Sequence, residues 1–536
     1  MKKIISLFCL CFLFCGIAWG YSSPNVPVEN HVYRDLDKLI GAGLIKDSIY
    51  GQRPWSRYEI ARMIKTALKN WDSQGGPVAP DARDVFFLSG IDGVLMRLKE
   101  EYRDELADEN FLFRPLDEAE IKETILNSPP TSLPVANGLG QIQADVNPFT
   151  GFQEGRHFAD GNTFAIETSH ATTLTPYFSL YARPRFEVLS PRTGFHDTKF
   201  LAQKLYGKLA YKKWTLQVGR DSLVWGQGEN GGFILSNNAR PLDAIQLGTQ
   251  SPVFLPSFLK YLGPNSFKIF FANLGTEREF PHAILTGYKW SLKPVDFLEL
   301  GLNHVVMMGG DGATGPSPLA SIGEFSGFLS ALCGNKCGNA TTDRIFSVES
   351  RLTVAALNNT VFYGEVGFDD TKNNLSVLFK TEASYYAGIY FPHLNETGTT
   401  DLRLEFKHTS PLLYRHVPYI SGVTLNRRIL GDELGPNGNE VSAKLRVDVS
   451  ENSLLTTRVS YETRDSDHYL DTGDINKDQT GIAEKRMRFE AGVTRRLRRQ
   501  LSLGVKADYE RVLDIGFTEG SNKNNWLGSL SLTYRP

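Results

Sequence analysis

The sequence predicts a mainly β protein, a closed antiparallel transmembrane β-barrel of about 18 strands preceded by a small α-helical periplasmic module. Three observations lead there: alternating apolar and polar residues from about residue 140 onward, an export-type leader, and connections that alternate between tight turns and long polar loops. In one segment Leu402, Leu404 and Phe406 interleave with Arg403, Glu405 and Lys407; in another Met487, Phe489, Ala491 and Val493 interleave with Arg488, Glu490, Gly492 and Thr494. Strand side chains alternate between faces, so each segment has one apolar and one charged face. A soluble sandwich would turn the charged face to water, whereas a transmembrane barrel turns the apolar face to lipid and the charged face inward.

The leader decides between these readings. Lys2 and Lys3 form a basic start, residues 4–17 are apolar but too short to span as a helix, and Ala18-Trp19-Gly20 suits a signal peptidase. Residues 1–20 are therefore read as a signal peptide. A lipoprotein would need a small residue before Cys15, where Phe14 stands. Cys9, Cys11 and Cys15 leave with the leader, so the mature chain keeps Cys333 and Cys337. Beyond the leader no apolar run approaches the ~20 residues of a membrane helix. With 58 basic and 60 acidic residues the chain has no nucleic-acid footprint. A mean hydropathy of −0.25 is low for a helical membrane protein but suits a barrel, in which every second strand residue meets lipid.

Residues 21–134 are read as the helical module and its linker. Tyr33, Leu36, Leu39 and Ile40 recur at helical spacing, and Gly41 and Gly43 end that helix. Ser56 is placed to cap a second helix carrying Ile60, Ile64 and Leu68, with Glu59 at the capping-box position. A third, over residues 87–106, aligns Leu88, Ile91, Leu95, Leu98 and Tyr102. The Pro- and Ser-rich stretch 127–134 cannot continue a helix.

The barrel is assigned to residues 135–536. Candidate strands lie at 140–148, 163–170, 176–189, 199–211, 213–220, 243–248, 266–274, 282–291, 296–307, 343–354, 360–369, 375–390, 401–408, 420–428, 440–450, 453–463, 485–496, 500–512 and 526–534. Because single-chain bacterial barrels have even strand numbers, about 18 is adopted, with 16 the alternative. Lys212-Lys213 and Asn358-Asn359 are tight turns, while 308–342, 429–439 and 464–484 are long and polar, as periplasmic turns and extracellular loops are. The last segment alternates through Trp526, Leu530, Leu532 and Tyr534 and resembles a barrel-assembly signal, although Arg535 and Pro536 follow it.

The inward face carries both signs: Arg403, Glu405 and Lys407; Lys444, Arg446 and Asp448; Lys506, Asp508 and Glu510. Such residues either line an open pore or pair across the lumen and close it. Catalysis finds no support. Ten histidines are scattered without a metal-ligand spacing, and Ser222 and Ser236 lack a nucleophile elbow. Glu365, Asp369 and Asp370 could hold calcium through oxygen ligands, a charged wall being the ordinary reading. Cys333 and Cys337, in a Gly/Asn-rich loop, are read as a loop disulfide in an oxidising compartment rather than as zinc ligands. No cofactor or metal is assigned.

Sugar recognition needs aromatic faces for pyranose C–H patches and polar groups for hydroxyls. Residues 219–243 supply both, in Trp225, Asn237, Asn238, Arg240 and Asp243, with Arg220 and Asp221 as further signature residues of the block. The competing reading is architectural: a Gly- and Asn-rich block folds into a barrel because its backbone requires it, and this is favoured for Asn237, Asn238 and Arg240. The long loops are better placed to meet an extracellular polymer.

The same block, Gly219-Arg-Asp-Ser-Leu-Val-Trp-Gly-Gln-Gly228 followed by Ser236-Asn-Asn-Ala-Arg-Pro241, resembles the Wzi capsule-assembly family. So do Tyr363-Gly-Glu-Val-Gly-Phe-Asp-Asp370, Arg428-Ile-Leu-Gly431 with Leu434-Gly-Pro-Asn-Gly-Asn439, and the opening from Asn25-Val-Pro27 to Pro54-Trp-Ser-Arg57. The resemblance implies an outer-membrane barrel with a periplasmic helical bundle. It implies a lectin-like anchor that holds capsular or related polysaccharide at the surface and neither polymerises nor exports it. The 308–342 loop with its two cysteines departs from the family pattern. The opening also resembles a single S-layer-homology repeat, a wall anchor found before some porins, although a helical pack that closes the barrel end is the simpler reading. The expected partners are capsular or exopolysaccharide and outer-membrane lipid, with export machinery or cell wall reached through the N-terminal module. The rivals are a saccharide-selective or general porin and an outer-membrane enzyme acting on glycans or lipids.

Overall fold

The computed structural model describes residues 21–73, 90–107, 112–128, 130–133, 142–147, 149–326, 341–369, 383–450, 452–464 and 481–536. The strands form a closed 18-stranded antiparallel barrel. In chain order they are β1 Phe113–Leu126, β2 Gly161–Thr175, β3 Phe178–Pro191, β4 Asp197–Tyr211, β5 Trp214–Asp221 and β6 Leu242–Thr249. Next come β7 Pro264–Asn273, β8 Ile284–Val295, β9 Leu298–Met308, β10 Thr342–Val354, β11 Thr360–Asp369 and β12 Ala383–Phe391. The last are β13 Thr400–His408, β14 Gly438–Ser450, β15 Ser453–Arg464, β16 Glu484–Arg498, β17 Leu501–Leu513 and β18 Lys523–Tyr534. Closure comes from β1, which pairs with β2 on one side and β18 on the other, with Ile121 opposite both Ile166 and Leu532.

The alternation read from the sequence becomes the barrel's two surfaces. Leu205, Leu209, Leu216, Val218, Ile245, Leu404, Phe406, Val441, Val493, Val505 and Leu530 stand exposed on the outside. Their neighbours Lys204, Lys208, Gln217, Arg403, Lys407 and Asp508 are buried inside. One irregularity has a local cause: β3 and β4 slip register between Arg183 and Pro184, where proline has no N–H for the ladder.

The wall begins at Phe113, inside the stretch assigned to the helical module and ahead of residue 135. Pro115 and the charged run Asp117, Glu118, Glu120, Lys122 and Glu123 hide the strand period, and the register slip between Arg114 and Glu118 breaks it further. Segments 140–148 and 420–428 are not wall strands. Asp145–Val146 pairs with Thr131–Ser132, and Thr424–Leu425 with Arg428–Ile429, as short ribbons outside the wall. Their apolar residues pack into the interior core, which mimics strand alternation.

The helices of the N-terminal module are α1 Val32–Gly41, α2 Arg57–Ser73, α3 Gly90–Glu101 and the short α4 Arg103–Leu106; α5 Pro318–Ser326 lies in the loop between β9 and β10. Leu36, Leu39, Ile60, Ile64, Leu95, Leu98 and Tyr102 share one buried core. Ser56 Oγ accepts the backbone N–H of Glu59, as its capping position predicts. Gly43, at φ 73°, closes α1 with Leu44 N–H donating to Leu39 C=O at 3.0 Å, a Schellman turn that favours glycine. The predicted third helix is broken at Tyr102, between Gly90–Glu101 and Arg103–Leu106; Phe87 and Leu88 lie outside the described residues.

The module is seated in the barrel end that carries the short turns. Arg403 Nη2 meets Asp37 Oδ2 at 3.1 Å, Lys38 Nζ meets Asp448 Oδ2 at 2.6 Å, and Glu299 accepts the backbone N–H groups of Tyr50 and Gly51 at 2.8 Å each.

Candidate functional site

Residues 222–241, which connect β5 to β6 at the long-loop end, fold into the lumen rather than away from it. Trp225 N–H donates to Leu235 C=O at 3.0 Å, and Gly232 N–H to Trp225 C=O at 2.6 Å, closing the block on itself. Its glycines follow from crowding. A Cβ on Gly232 would stand 1.8 Å from Glu365 Oε2, and Gly226, at φ 120°, lies against the backbone of Gly232.

Two other loops from the same end lock onto the block. Asn238 Nδ2 donates to Ile429 C=O at 2.9 Å and Ser236 Oγ to Gly431 C=O at 2.6 Å, joining the 409–437 loop. Tyr414 Oη donates to Phe233 C=O at 2.6 Å and accepts Asp432 N–H at 2.8 Å. From the loop ahead of β2, Glu154 N–H donates to Asn237 C=O at 2.7 Å and Gly155 N–H to Asn238 C=O at 3.1 Å. Together they bury an apolar core inside the barrel, with Ile142, Leu223, Trp225, Phe233, Tyr414 and Ile429 against Phe270, Leu285, Val305 and Ile345 of the wall. On its inner side the block meets the helical module: Gln52–Arg53 pairs with Val224–Trp225. The filling is thus continuous from the module to the in-folded loops.

The predicted site residues divide between two surfaces. Trp225 is 1% exposed and packs edge-on to Phe270 at 5.4 Å, so no ring face is open to a pyranose. Asp221 is buried, accepting from Asn25 Nδ2 at 2.8 Å, Gln217 Nε2 at 2.9 Å and the N–H of Ser222 at 2.8 Å. Asn237 and Asn238 are buried in the loop crossings just described. Arg220 and Asp243 lie opposite each other on β5 and β6 and make a two-pronged ion pair, 2.8 Å at each prong, on the outer face. Arg240 Nη1 reaches the same carboxylate at 3.3 Å. Asn238 and Asp221 spend their side chains on the fold, whereas Asn237 Oδ1, Trp225 Nε1 and Arg240 Nε are buried without a hydrogen-bond partner among the described residues. Cys333 and Cys337 lie outside the described residues, as does Asp370.

The charged triplets of the inner face all have partners. Lys407 meets Asp432 at 2.7 Å, Arg446 meets Asp401 at 2.7 Å and Glu229 at 3.1 Å, and Lys506 meets Asp508 at 2.7 Å. Glu365 and Asp369 each accept a plug N–H, from Phe233 at 3.1 Å and Tyr414 at 2.6 Å. In the loops, burial works to raise the Glu229 carboxyl, but Lys444, Arg446 and Arg403 outweigh it and hold it below its usual range. Glu433 goes the other way: burial, opposed by Arg488 but reinforced by Glu462, Glu440 and Asp432, pushes it up to about 8.

Sequence reasoning missed Tyr414 and the 409–437 loop. Their signal was the density of turn formers, Gly422, Asn426, Gly431 and Gly435, around buried Tyr414, Tyr419, Leu425 and Ile429. Space remains along one wall. A cavity of about 510 Å³ lies between the module and β1, β16, β17 and the terminal Arg535 and Pro536, and one of about 260 Å³ shares Pro27, Asn30, Glu118 and Arg535 with it and reaches Phe152 and Asn237 beneath the plug.

The family model described as capsule assembly protein Wzi matches residues 141–526. The chain belongs to the Wzi capsule assembly family. Among solved structures it is similar to Wzi of Escherichia coli, described as an outer-membrane protein involved in group 1 capsule assembly and a carbohydrate-binding β-barrel. That likeness has a TM-score of 0.65 at 18% identity and covers 96% of this chain and 99% of that one. Among curated proteins it is similar to an uncharacterized 55.8 kDa protein in the cps region of Klebsiella pneumoniae, 26% identical over 181 residues, or 33% of this chain. The match spans about a third of that relative's length, 35%. As a Wzi-family barrel the protein resides in the outer membrane, its short turns on the periplasmic side and its long loops outside.

Proposed function

We propose that this protein is a lectin-like anchor that attaches capsular or related surface polysaccharide to the cell surface, without catalysis. One observation carries the reading beyond family membership: the extracellular loops are drawn into the lumen and packed as an apolar core. A barrel filled in this way cannot pass a polymer, and it gives its outer loops a rigid base. Binding energy then goes to contacts and is not consumed by ordering loops.

The long-loop end of the barrel carries suitable chemistry. Phe195, in the β3–β4 hairpin, is 95% exposed and offers both ring faces for stacking on a sugar. Arg427 holds Asp145 at 2.7 and 2.8 Å with Ser132 beside them, an exposed polar cluster that can exchange hydrogen bonds with hydroxyls. The test pairs two measurements on purified full-length protein. In planar bilayers the anchor gives no steady large conductance, and on a surface it retains purified capsular polysaccharide. In cells, deleting the gene should release polysaccharide into the medium. A steadily conducting barrel that retains no glycan would establish a porin instead.

A further inference from the structure

A cleft of about 280 Å³ lies where the helical module meets the periplasmic turns, lined by Asp47, Tyr58, Arg62, Lys212, Lys213, Gln250, Pro252, Phe254 and Pro264 among others. Arg62, Lys212 and Lys213 line it together with the carboxylate of Asp47. Arg62 pairs with Asp47 through Nη1, and its Nε and Nη2 are buried without a hydrogen-bond partner among the described residues. Lys213 Nζ donates to the backbone oxygen of Pro252 at 3.2 Å and makes no ion pair among the described residues. Lys212 lies over the Tyr211 ring at 5.5 Å.

The surroundings say what kind of anion fits. The cleft opens at the lower edge of the apolar belt, beneath outward-facing Leu209 and Leu216. Tyr211 and Phe254 flank it, and Phe258 and Tyr261 of the short helical turn Ser257–Leu262 follow, all strongly exposed. Lys260 adds a cation over the Tyr261 ring at 5.3 Å. A soluble anion needs no such aromatic apron. A phosphate carrying acyl chains does, because its charge reaches the guanidinium and ammonium groups while its chains run up the belt.

We propose that this cleft binds the headgroup of an anionic phospholipid in the periplasmic leaflet, with Arg62 and Lys213 on the phosphate and Lys212 at its rim. The lipid then bridges barrel and module and fixes the module against the wall.

The test uses full-length protein stripped of lipid in a neutral detergent, with thermal unfolding followed on addition of phosphatidylglycerol, phosphatidylcholine or inorganic phosphate. Phosphatidylglycerol should raise the midpoint and the other two should not. R62Q/K213Q should weaken the response about tenfold or more in lipid concentration, from roughly one interaction lost per cation. K199Q, on an extracellular strand end, should leave it unchanged. Should the double variant fail the heat-modifiable mobility test of folding, K212Q serves in its place and should also weaken the response. Equal shifts with phosphatidylglycerol and phosphatidylcholine, a shift with inorganic phosphate alone, or an undiminished response in the folded variants would each overturn the proposal.

Discussion

Lys289 Nζ lies 2.6 Å from Glu349 Oε1 inside the barrel, both side chains 0% exposed. The same oxygen accepts Gln227 Nε2 of the in-folded block at 3.0 Å, and Asn303 Nδ2 reaches the other at 3.2 Å. Wall and plug therefore share one buried charge. Replacing Lys289 with Met leaves Glu349 buried without its cation, a loss of ~3–5 kcal/mol. K289M should unfold at lower temperature in detergent and conduct measurably in bilayers, and K289M/E349L should recover most of the stability. A single variant with unchanged midpoint and a silent barrel would refute the link.

Leu404 faces outward between inward Arg403 and Glu405. An arginine there meets hydrocarbon and costs ~2–4 kcal/mol at mid-bilayer. L404R should fold into lipid vesicles in markedly lower yield, read by the shift between heated and unheated bands on a gel. Equal yields would mean that this face does not contact lipid.

Trp225 lies in the plug core. Truncation to alanine opens a cavity there and should lower stability by ~3–5 kcal/mol. Polysaccharide retention per folded molecule should stay the same, because the ring face is closed to ligand. Retention lost with stability intact would return Trp225 to the binding surface.

Glu433 supplies a pH dependence with a definite sign. Its carboxyl ionises near the ordinary 4.5 in the unfolded chain but at about 8 when folded. Between those values the folded state keeps a proton that the unfolded chain has released, so stability falls as pH rises through that window and levels off above it. E433Q, neutral throughout, should flatten the slope of the unfolding midpoint between pH 5 and 8 (roughly the window set by the two pKa values). An equally steep slope in E433Q would assign the dependence to another group.

Much of the wall was legible because its rule is local. Inward Arg403 and outward Leu404 differ by one position, and period two separates them without knowledge of any partner. The Ser56 cap and the Gly43 turn were legible for the same reason: each is settled within a few residues. Phe113–Leu126 was not, since a strand with Pro115 and a charged run looks like a helix end unless its neighbours β2 and β18 are known. The site was half legible. The glycines at 226 and 232 marked a crowded backbone, but what crowds it, Glu365 on β11, is distant in sequence.

Alternation and the Trp-Gly-x-Gly block thus determined, from the chain alone, a closed barrel of the Wzi kind with lipid outside and charge within. Whether that charge would line a pore or be neutralised was decided by the tertiary structure. Pairings such as Gln52 with Trp225, or Tyr414 with Phe233, join segments that nothing local brings together. They exist because unpaired charge and bare backbone inside a narrow cylinder cost more than folding three loops and a helical module into it.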